Sequence, residues 1–274
     1  MCEEWAPAGI DTTTPSVARM YDYYLGGKDN FESDRAAAEK VLSTAPETRV
    51  AARENRAFLR RVVRYLATEC GIRQFIDVGT GLPTQSNLHE IVHELAPEAR
   101  IVYVDNDPVV LVHARALLAE GGTSDTVSVI QGDLRRPDDI VTHPNLRRLI
   151  DFSEPVAVLF VAVLHFVTDD EDPHRIVHRF RDAMAPGSYL MISHASANDT
   201  DVDEAVRVYR QATASITPRT ATQVASLFTG CDLLEPGAVT TSRWRPEPGC
   251  VPADDHNMAV LLGGVARKPE SRRR

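Results

Sequence analysis

Apolar positions in the first part of the chain recur at three- and four-residue spacing. Val17, Met20, Tyr21, Tyr24 and Leu25 share one helical face behind Pro15-Ser16, and Gly26-Gly27 ends the run. The spacing predicts a second helix over 31–42, stopped near Pro46. It predicts a third over 49–68, with Val50, Phe58, Val62, Tyr65 and Leu66 on one face and Cys70-Gly71 behind it. Beyond residue 71 the period changes. Short apolar runs at 74–78, 100–104, 126–131, 156–164 and 188–193 read as strands, and 87–95, 108–120 and 172–185 read as the helices joining them. The run 156–164 is apolar almost throughout, as a strand covered on both faces requires. Helices at 203–215 and 220–228 and late strands at 233–241 and 258–265 complete the pattern. Strands alternating with helices at this spacing predict an α/β fold. Five parallel strands with right-handed crossovers should carry an antiparallel pair at one edge. The chain divides into helical residues 1–70, an α/β unit 71–266 and a basic tail 267–274, read as a solvated end.

Composition narrows the function. The 274 residues carry a formal net charge of −9 and only 6% aromatic residues. That balance argues against a protein that holds a phosphate backbone or stacks bases. The longest apolar run ends at His165, well short of the roughly 18 residues of a spanning helix. Met1-Cys2-Glu3-Glu4 has neither the basic nor the apolar part of a secretory signal. Cys2, Cys70, Cys231 and Cys250 are scattered without zinc spacing. The expectation is reduced thiols in a cytoplasmic protein that holds no metal.

In an open parallel sheet, ligands bind beyond the carboxyl ends of the strands. The first strand runs out into Asp77-Val78-Gly79-Thr80-Gly81-Leu82-Pro83. Glycines there let a ligand approach the backbone, and the following helix aims free N–H groups at it. A dinucleotide fingerprint would need a third glycine at position 84, which is Thr84. Asp77 is awkward beside a pyrophosphate but suits a ligand carrying an ammonium and a sulfonium. Asp105 ends the second strand, 24 residues past Gly81, where an acid accepts ribose hydroxyls. Gly132-Asp133 ends the third, where a carboxylate suits an adenine amine. Each acid has a purely structural alternative. Asp105-Asn106-Asp107-Pro108 could cap a helix, and Asp133 could be a turn residue. Three acids at three successive strand ends, with two glycines, point to an adenosine-bearing ligand.

Several stretches carry a resemblance. They are 15–31, with Tyr21-Asp22-Tyr23-Tyr24-Leu25-Gly26-Gly27-Lys28-Asp29-Asn30 inside it, then 55–61, the loop 77–84, 103–108 and Leu164-His165. Together they resemble the class I S-adenosylmethionine-dependent methyltransferases. More closely, the chain is similar to a family of S-adenosyl methyltransferases long described as a domain of unknown function. The general class I pattern has a glycine where this chain has Pro83. The resemblance implies a Rossmann-like sheet under an N-terminal helical lid, with S-adenosylmethionine as cofactor. It implies that Gly79, Thr80 and Gly81 border the methionine part and that Asp77 sits near its amino group. Asp105 should take the ribose hydroxyls, with Asn106 beside it, and Asp133 the adenine, with Gly132 and Leu134 beside it. Ala162, Val163 and His165 should lie near the sulfonium. Tyr21, Tyr24 and Asn30 are the candidates on the lid, for which Gly26-Gly27 reads as a hinge.

Methyl transfer mainly requires positioning and exclusion of water. A general base helps when the acceptor is a hydroxyl or a protonated amine. His165 and His194 follow strands four and five and are the candidates, the alternative being histidines satisfied by backbone partners. The expected partner is a small-molecule acceptor, with no nucleic acid and no membrane, and a homodimer stays open. Two competing readings remain. A nicotinamide oxidoreductase is weakened by Thr84 and Asp77, and a non-catalytic cofactor-binding module would bind without turnover.

Overall fold

The structure, a computed structural model, describes residues 11–83, 87–121, 125–197, 202–247, 249 and 261–270. Three helices open it: α1 (Val17–Leu25), α2 (Glu32–Thr44) and α3 (Thr48–Thr68). The apolar face of α3 buries Phe58, Leu59, Val62, Val63 and Leu66 against the sheet residues Phe75, Ile101, Leu159 and Met191. α3 is therefore one of the helices that cover the sheet. α1 and α2 instead build a smaller cluster around Met20, Tyr24 and Val41, which Val208 and Tyr209 complete.

The sheet contains β1 (Gln74–Val78), β2 (Arg100–Asp105), β3 (Val127–Gln131), β4 (Ala157–Val161) and β5 (Tyr189–Ala195), all parallel. Between them run α4 (Leu88–Leu95), α5 (Pro108–Gly121), α6 (Pro137–Val141), α7 (Pro144–Leu149) and α8 (Pro173–Ala183). After β5 come α9 (Val202–Tyr209), α10 (Ala221–Ser226), the two-residue strands β6 (Asp232–Leu233) and β7 (Val239–Thr240), and β8 (Leu261–Arg267). The order is β3-β2-β1-β4-β5-β8-β6, with β7 also paired to β8. β8 is antiparallel to β5, β6 and β7. β1 has β2 on one side and β4 on the other, so the winding reverses there, where such sheets bind ligands.

Two short helices, α6 and α7, are additional to the pattern read in the sequence, and four expected elements take another form. The apolar run 156–164 stops being strand at Val161, because Ala162 takes a left-handed φ of 51° and Leu164–Phe166 form a 3-10 turn. The strand expected over 233–241 is two short pairs joined by a turn. The helix expected over 203–215 ends at Tyr209. The basic end is partly built in. Arg267 pairs with Tyr189, and the Lys268 ammonium holds the carbonyls of Arg181 (2.8 Å) and Met184 (2.6 Å) at the end of α8. A cation there satisfies carbonyls that a helix end leaves over.

No helix among the described residues is long and apolar enough to cross a membrane. Cys70 and Cys231 are free thiols. Cys2, Cys250, Thr84 and the start of the expected strand at 258 lie outside the described residues.

Candidate active site

A cavity of about 540 Å³ opens at the carboxyl ends of the central strands. Its first wall is the turn after β1. Gly79 has a φ of 75°, and a Cβ there would stand 2.2 Å from Val163 Cγ2, so the turns after β1 and β4 touch only because the side chain is missing. Thr80 Oγ1 donates to the Asp77 carbonyl at 3.1 Å and steadies the turn. The Gly81 N–H donates to Asp105 Oδ2 at 2.9 Å, and the Asp107 N–H donates to Asp105 Oδ1 at 2.9 Å. Asp105 is thus a turn-forming acid that also lines the cavity. Burial raises its pKa, against the pull of those N–H groups. Each of its oxygens keeps accepting capacity for a ligand hydroxyl.

Asp77 lines the same cavity and is buried. Burial and the neighbouring Asp105 push its pKa up to about 7, while Arg56 of α3 pulls it down. Arg56, within the stretch 55–61, also lines the cavity, a place the sequence pattern does not assign it. Asn106, Gly132, Leu134, Ala162 and Val163 line it too. The Ala162 N–H donates to Ser193 Oγ at 2.9 Å, which holds its left-handed turn.

Two expected cofactor residues stand elsewhere. Asp133 is not part of the lining: its Oδ1 accepts the Arg135 N–H at 2.9 Å and faces Arg135 Nη1 at 3.3 Å. Arg135 itself lines the cavity, tied to Glu171 at 2.6 Å and to the Phe166 carbonyl at 3.2 Å. The turn-residue alternative describes Asp133 here. Asn30 is likewise set back. Its Nδ2 donates to Asp22 Oδ2 at 2.8 Å and to the Gly27 carbonyl at 3.0 Å, and the Asp29 N–H also reaches Asp22 Oδ2, at 3.0 Å. A Cβ on Gly27 would stand 1.9 Å from Asp22 Oδ1. Gly27 therefore makes room for a buried acid, Gly26 takes the left-handed cap of α1, and the turn at Asp29-Asn30 closes on that acid.

Asp22 was missed by the sequence reading. It lines the cavity, and burial raises its pKa. The signal was present as a lone carboxylate among the tyrosines at 21, 23 and 24. A second buried acid, Asp34, receives the N–H groups of Ser16 and Phe31 at 2.8 Å each and Arg19 Nε at 2.7 Å. Ser16 Oγ then donates to Asp107 Oδ2 at 3.3 Å, tying the segment before α1 to the turn after β2.

Tyr21 and Tyr24 line the cavity as expected. The Tyr21 hydroxyl accepts Asn55 Nδ2 at 3.0 Å and donates to the Ala52 carbonyl at 3.3 Å. The Tyr24 hydroxyl lies 3.2 Å from that of Tyr209.

The histidines depart from the base expectation. His165 lines the cavity, and its Nδ1 accepts the Ala195 N–H at 3.1 Å, which assigns the ring proton to Nε2. Burial holds its pKa well below the usual histidine range. His194 is fully buried and outside the lining. Its Nδ1 donates to the Ala195 carbonyl at 2.9 Å, and its Nε2 accepts Arg219 Nη1 at 2.9 Å. Burial pushes its pKa down to about 4. Neither ring keeps a lone pair to take a substrate proton. His194 is the histidine with backbone and arginine partners, and His165 presents a donor.

A parallel sheet with one antiparallel strand beside β5, and a cavity of acids and glycines at its switch point, define a class I methyltransferase. The chain belongs to the S-adenosyl methyltransferase family, whose model matches residues 3–269, and it is accordingly an S-adenosylmethionine-dependent methyltransferase. It is 42% identical to a candidate methyltransferase from Thermobifida fusca YX, with a TM-score of 0.90 over 97% of this chain and 99% of that one. It is 39% identical to a DUF574 family protein from Streptomyces avermitilis MA-4680, with a TM-score of 0.88 over 94% of this chain and 99% of that one. The human N-acetylserotonin methyltransferase, solved in complex with S-adenosylmethionine, shares the fold at a TM-score of 0.50 and 16% identity, over 86% of this chain and 57% of that one. Comparison with curated proteins found no match.

Proposed function

We propose that the protein methylates a small molecule inside this cavity. The carrying observation is Asp105, whose two oxygens are fixed by the N–H groups of Gly81 and Asp107 on the wall of a cavity that Asp77 also lines. The cavity volume of about 540 Å³ lies within the roughly 300–1,000 Å³ of small-molecule sites.

The residues present fit the cofactor. Asp105, already oriented, accepts the ribose hydroxyls, with Asn106 beside it. Asp77, buried and easily protonated, becomes a carboxylate when an ammonium comes next to it. The open turn Gly79-Thr80-Gly81 leaves space for the methionine part, and Gly132 and Leu134 border the base. Ala162 and Val163 face the sulfur end, and His165 offers Nε2–H as a hydrogen-bond donor. The segment before α1, with α1 and α2, serves as a lid tied down by Ser16 and Asp34.

Held by Asp105 and Asp77, S-adenosylmethionine would supply an electrophilic methyl on a sulfonium whose leaving group is a neutral thioether. The protein's part is to align the acceptor and keep water out. Neither histidine takes the proton of the attacking atom, since both rings lack a free lone pair.

Calorimetric titration tests the reading. S-adenosylmethionine and S-adenosylhomocysteine should bind saturably and NAD should not. A small-molecule acceptor panel should release S-adenosylhomocysteine. NAD binding, or turnover only with macromolecular acceptors, would refute it.

A further inference from the structure

Resting on the methyl-transfer reading, we infer that the acceptor is a neutral, mostly apolar, ring-bearing molecule that offers an oxygen to the Tyr24–Tyr209 hydroxyl pair.

The cavity has two chemically unlike parts. The strand ends bring acids and glycines. The other part is apolar: Tyr24, Val41, Ala52, Phe166, Tyr209 and Ile216 line the cavity and belong to one hydrophobic cluster. An aromatic path crosses it. The Tyr209 and Phe166 rings lie 5.9 Å apart at 51°, and the Phe166 and His165 rings 4.4 Å apart at 65°. The path leads from the apolar part to the turn after β4, beside the site read as the sulfonium end. Offset and edge contacts of this kind suit a planar ring.

Charge on the acceptor finds little support there. Arg19 lines the cavity but is neutralised by Asp34, Arg56 acts on the acid Asp77, and the Asp22 carboxylate is taken up by Asp29 N–H and Asn30. Glu47, in the α2–α3 turn, is a partly exposed lining residue outside the cluster. An ion placed among these apolar side chains would lose its hydration without a counterion.

The hydroxyl pair adds a specific requirement. Tyr24 is 1% exposed and Tyr209 9%, and their hydroxyls bond to each other at 3.2 Å. Two hydroxyls carry two protons, and one bond between them uses one. The pair therefore keeps a second O–H, with no further partner among the described residues. Both tyrosines stay protonated at neutral pH, since burial raises both and pushes Tyr209 up to about 12. A buried donor left over at a cavity wall costs free energy until an acceptor atom meets it. A carbonyl or hydroxyl oxygen on the incoming molecule does so.

The test is calorimetric titration of 2-naphthol into protein saturated with S-adenosylhomocysteine. Saturable binding is expected, at least about tenfold tighter than for 2-naphthoate or 2-naphthylmethylammonium. Tyr209→Phe, which keeps the ring and removes one hydroxyl, should weaken 2-naphthol about fivefold and leave S-adenosylhomocysteine within about twofold. Ile216→Trp, which fills the apolar part, should abolish 2-naphthol binding and keep the S-adenosylhomocysteine titration. No saturable 2-naphthol binding, tighter binding of either charged analogue, or an unchanged Tyr209→Phe variant overturns the inference alone. Failure of S-adenosylhomocysteine to bind the unaltered protein instead removes the reading on which it rests.

Discussion

The carboxylate of Asp105 and the backbone amide of Gly81 meet at 2.9 Å, joining the turn after β2 to the turn after β1. One side chain thereby shapes the glycine turn and faces the cavity. The acid on the cavity wall and the glycine loop form a single hydrogen-bonded unit.

Asp105→Ala should remove both roles. Loss of hydrogen bonds to a charged acceptor costs about 1.5–3 kcal/mol each, so S-adenosylhomocysteine affinity should fall by at least about tenfold. Asp105→Asn keeps an oxygen for Gly81 and should fall between. A titration in which the alanine variant binds normally would rule out the ribose assignment.

Gly79→Ala should strain the first turn. The position has a φ of 75°, and the new Cβ would stand 2.2 Å from Val163 Cγ2. A left-handed non-glycine residue costs roughly 1–2 kcal/mol, and overpacking about 1–3 kcal/mol more. The expected result is a lower melting temperature together with weaker cofactor binding. A Gly79→Ala protein as stable as the parent would show that the two turns can separate freely.

Ligand affinity and stability should depend on pH through Asp77. Its folded pKa is about 7 against an ordinary 3.8, so the folded state holds a proton that the unfolded chain releases between those values. The contribution of Asp77 to stability is present below pH 3.8 and is lost as pH rises through about 7. Asp77→Asn should therefore gain stability relative to the parent as pH rises across that window. A cationic ligand favours the carboxylate, so S-adenosylmethionine should bind more tightly at pH 7.5 than at pH 6, and the asparagine variant should lose that slope. Parallel slopes for the two proteins would separate Asp77 from the ligand charge.

The histidines make an opposite, acid-side contribution. His194 has a folded pKa of about 4 against 6.5, so the unfolded chain takes up a proton that the folded ring refuses as pH falls. Its stabilising contribution is present above pH 6.5 and is lost as pH falls toward 4. His165→Gln preserves an acceptor and a donor and should retain turnover within about tenfold, whereas loss of a general base costs about 10²–10⁴-fold. Steady-state rates with any competent acceptor decide between them.

The fold was legible where burial and periodicity agree. β1 runs from Gln74 to Val78, as its apolar run suggests. The stretch from Ala162 to Phe166 was not legible, because a turn packed under the core is as apolar as the strand before it. α6 and α7 escaped notice because each is barely a turn or two long and starts at a proline that reads equally as a loop. At the cavity, the strand-end rule led to Asp77, Asp105 and the glycines, which line it. Asp133 does not, because Arg135 two residues on captures its carboxylate. Asn30 and Asp22 exchanged roles: the amide supports the turn and the acid reaches the cavity. Arg56 lies in the stretch 55–61 that carries the resemblance, but in a helix rich in arginines its spacing alone gives it no role.

β8 lies inside the sheet, with β5 on one side and β6 and β7 on the other. Without residues 261–267, β5 would keep a bare margin along a strand that is buried throughout in the folded protein. β8 is the strand that closes this margin, pairing β5 along its whole length from Tyr189 to Ala195. Shortened messages that stop before residue 261 would yield a sticky intermediate prone to self-association instead of a smaller enzyme.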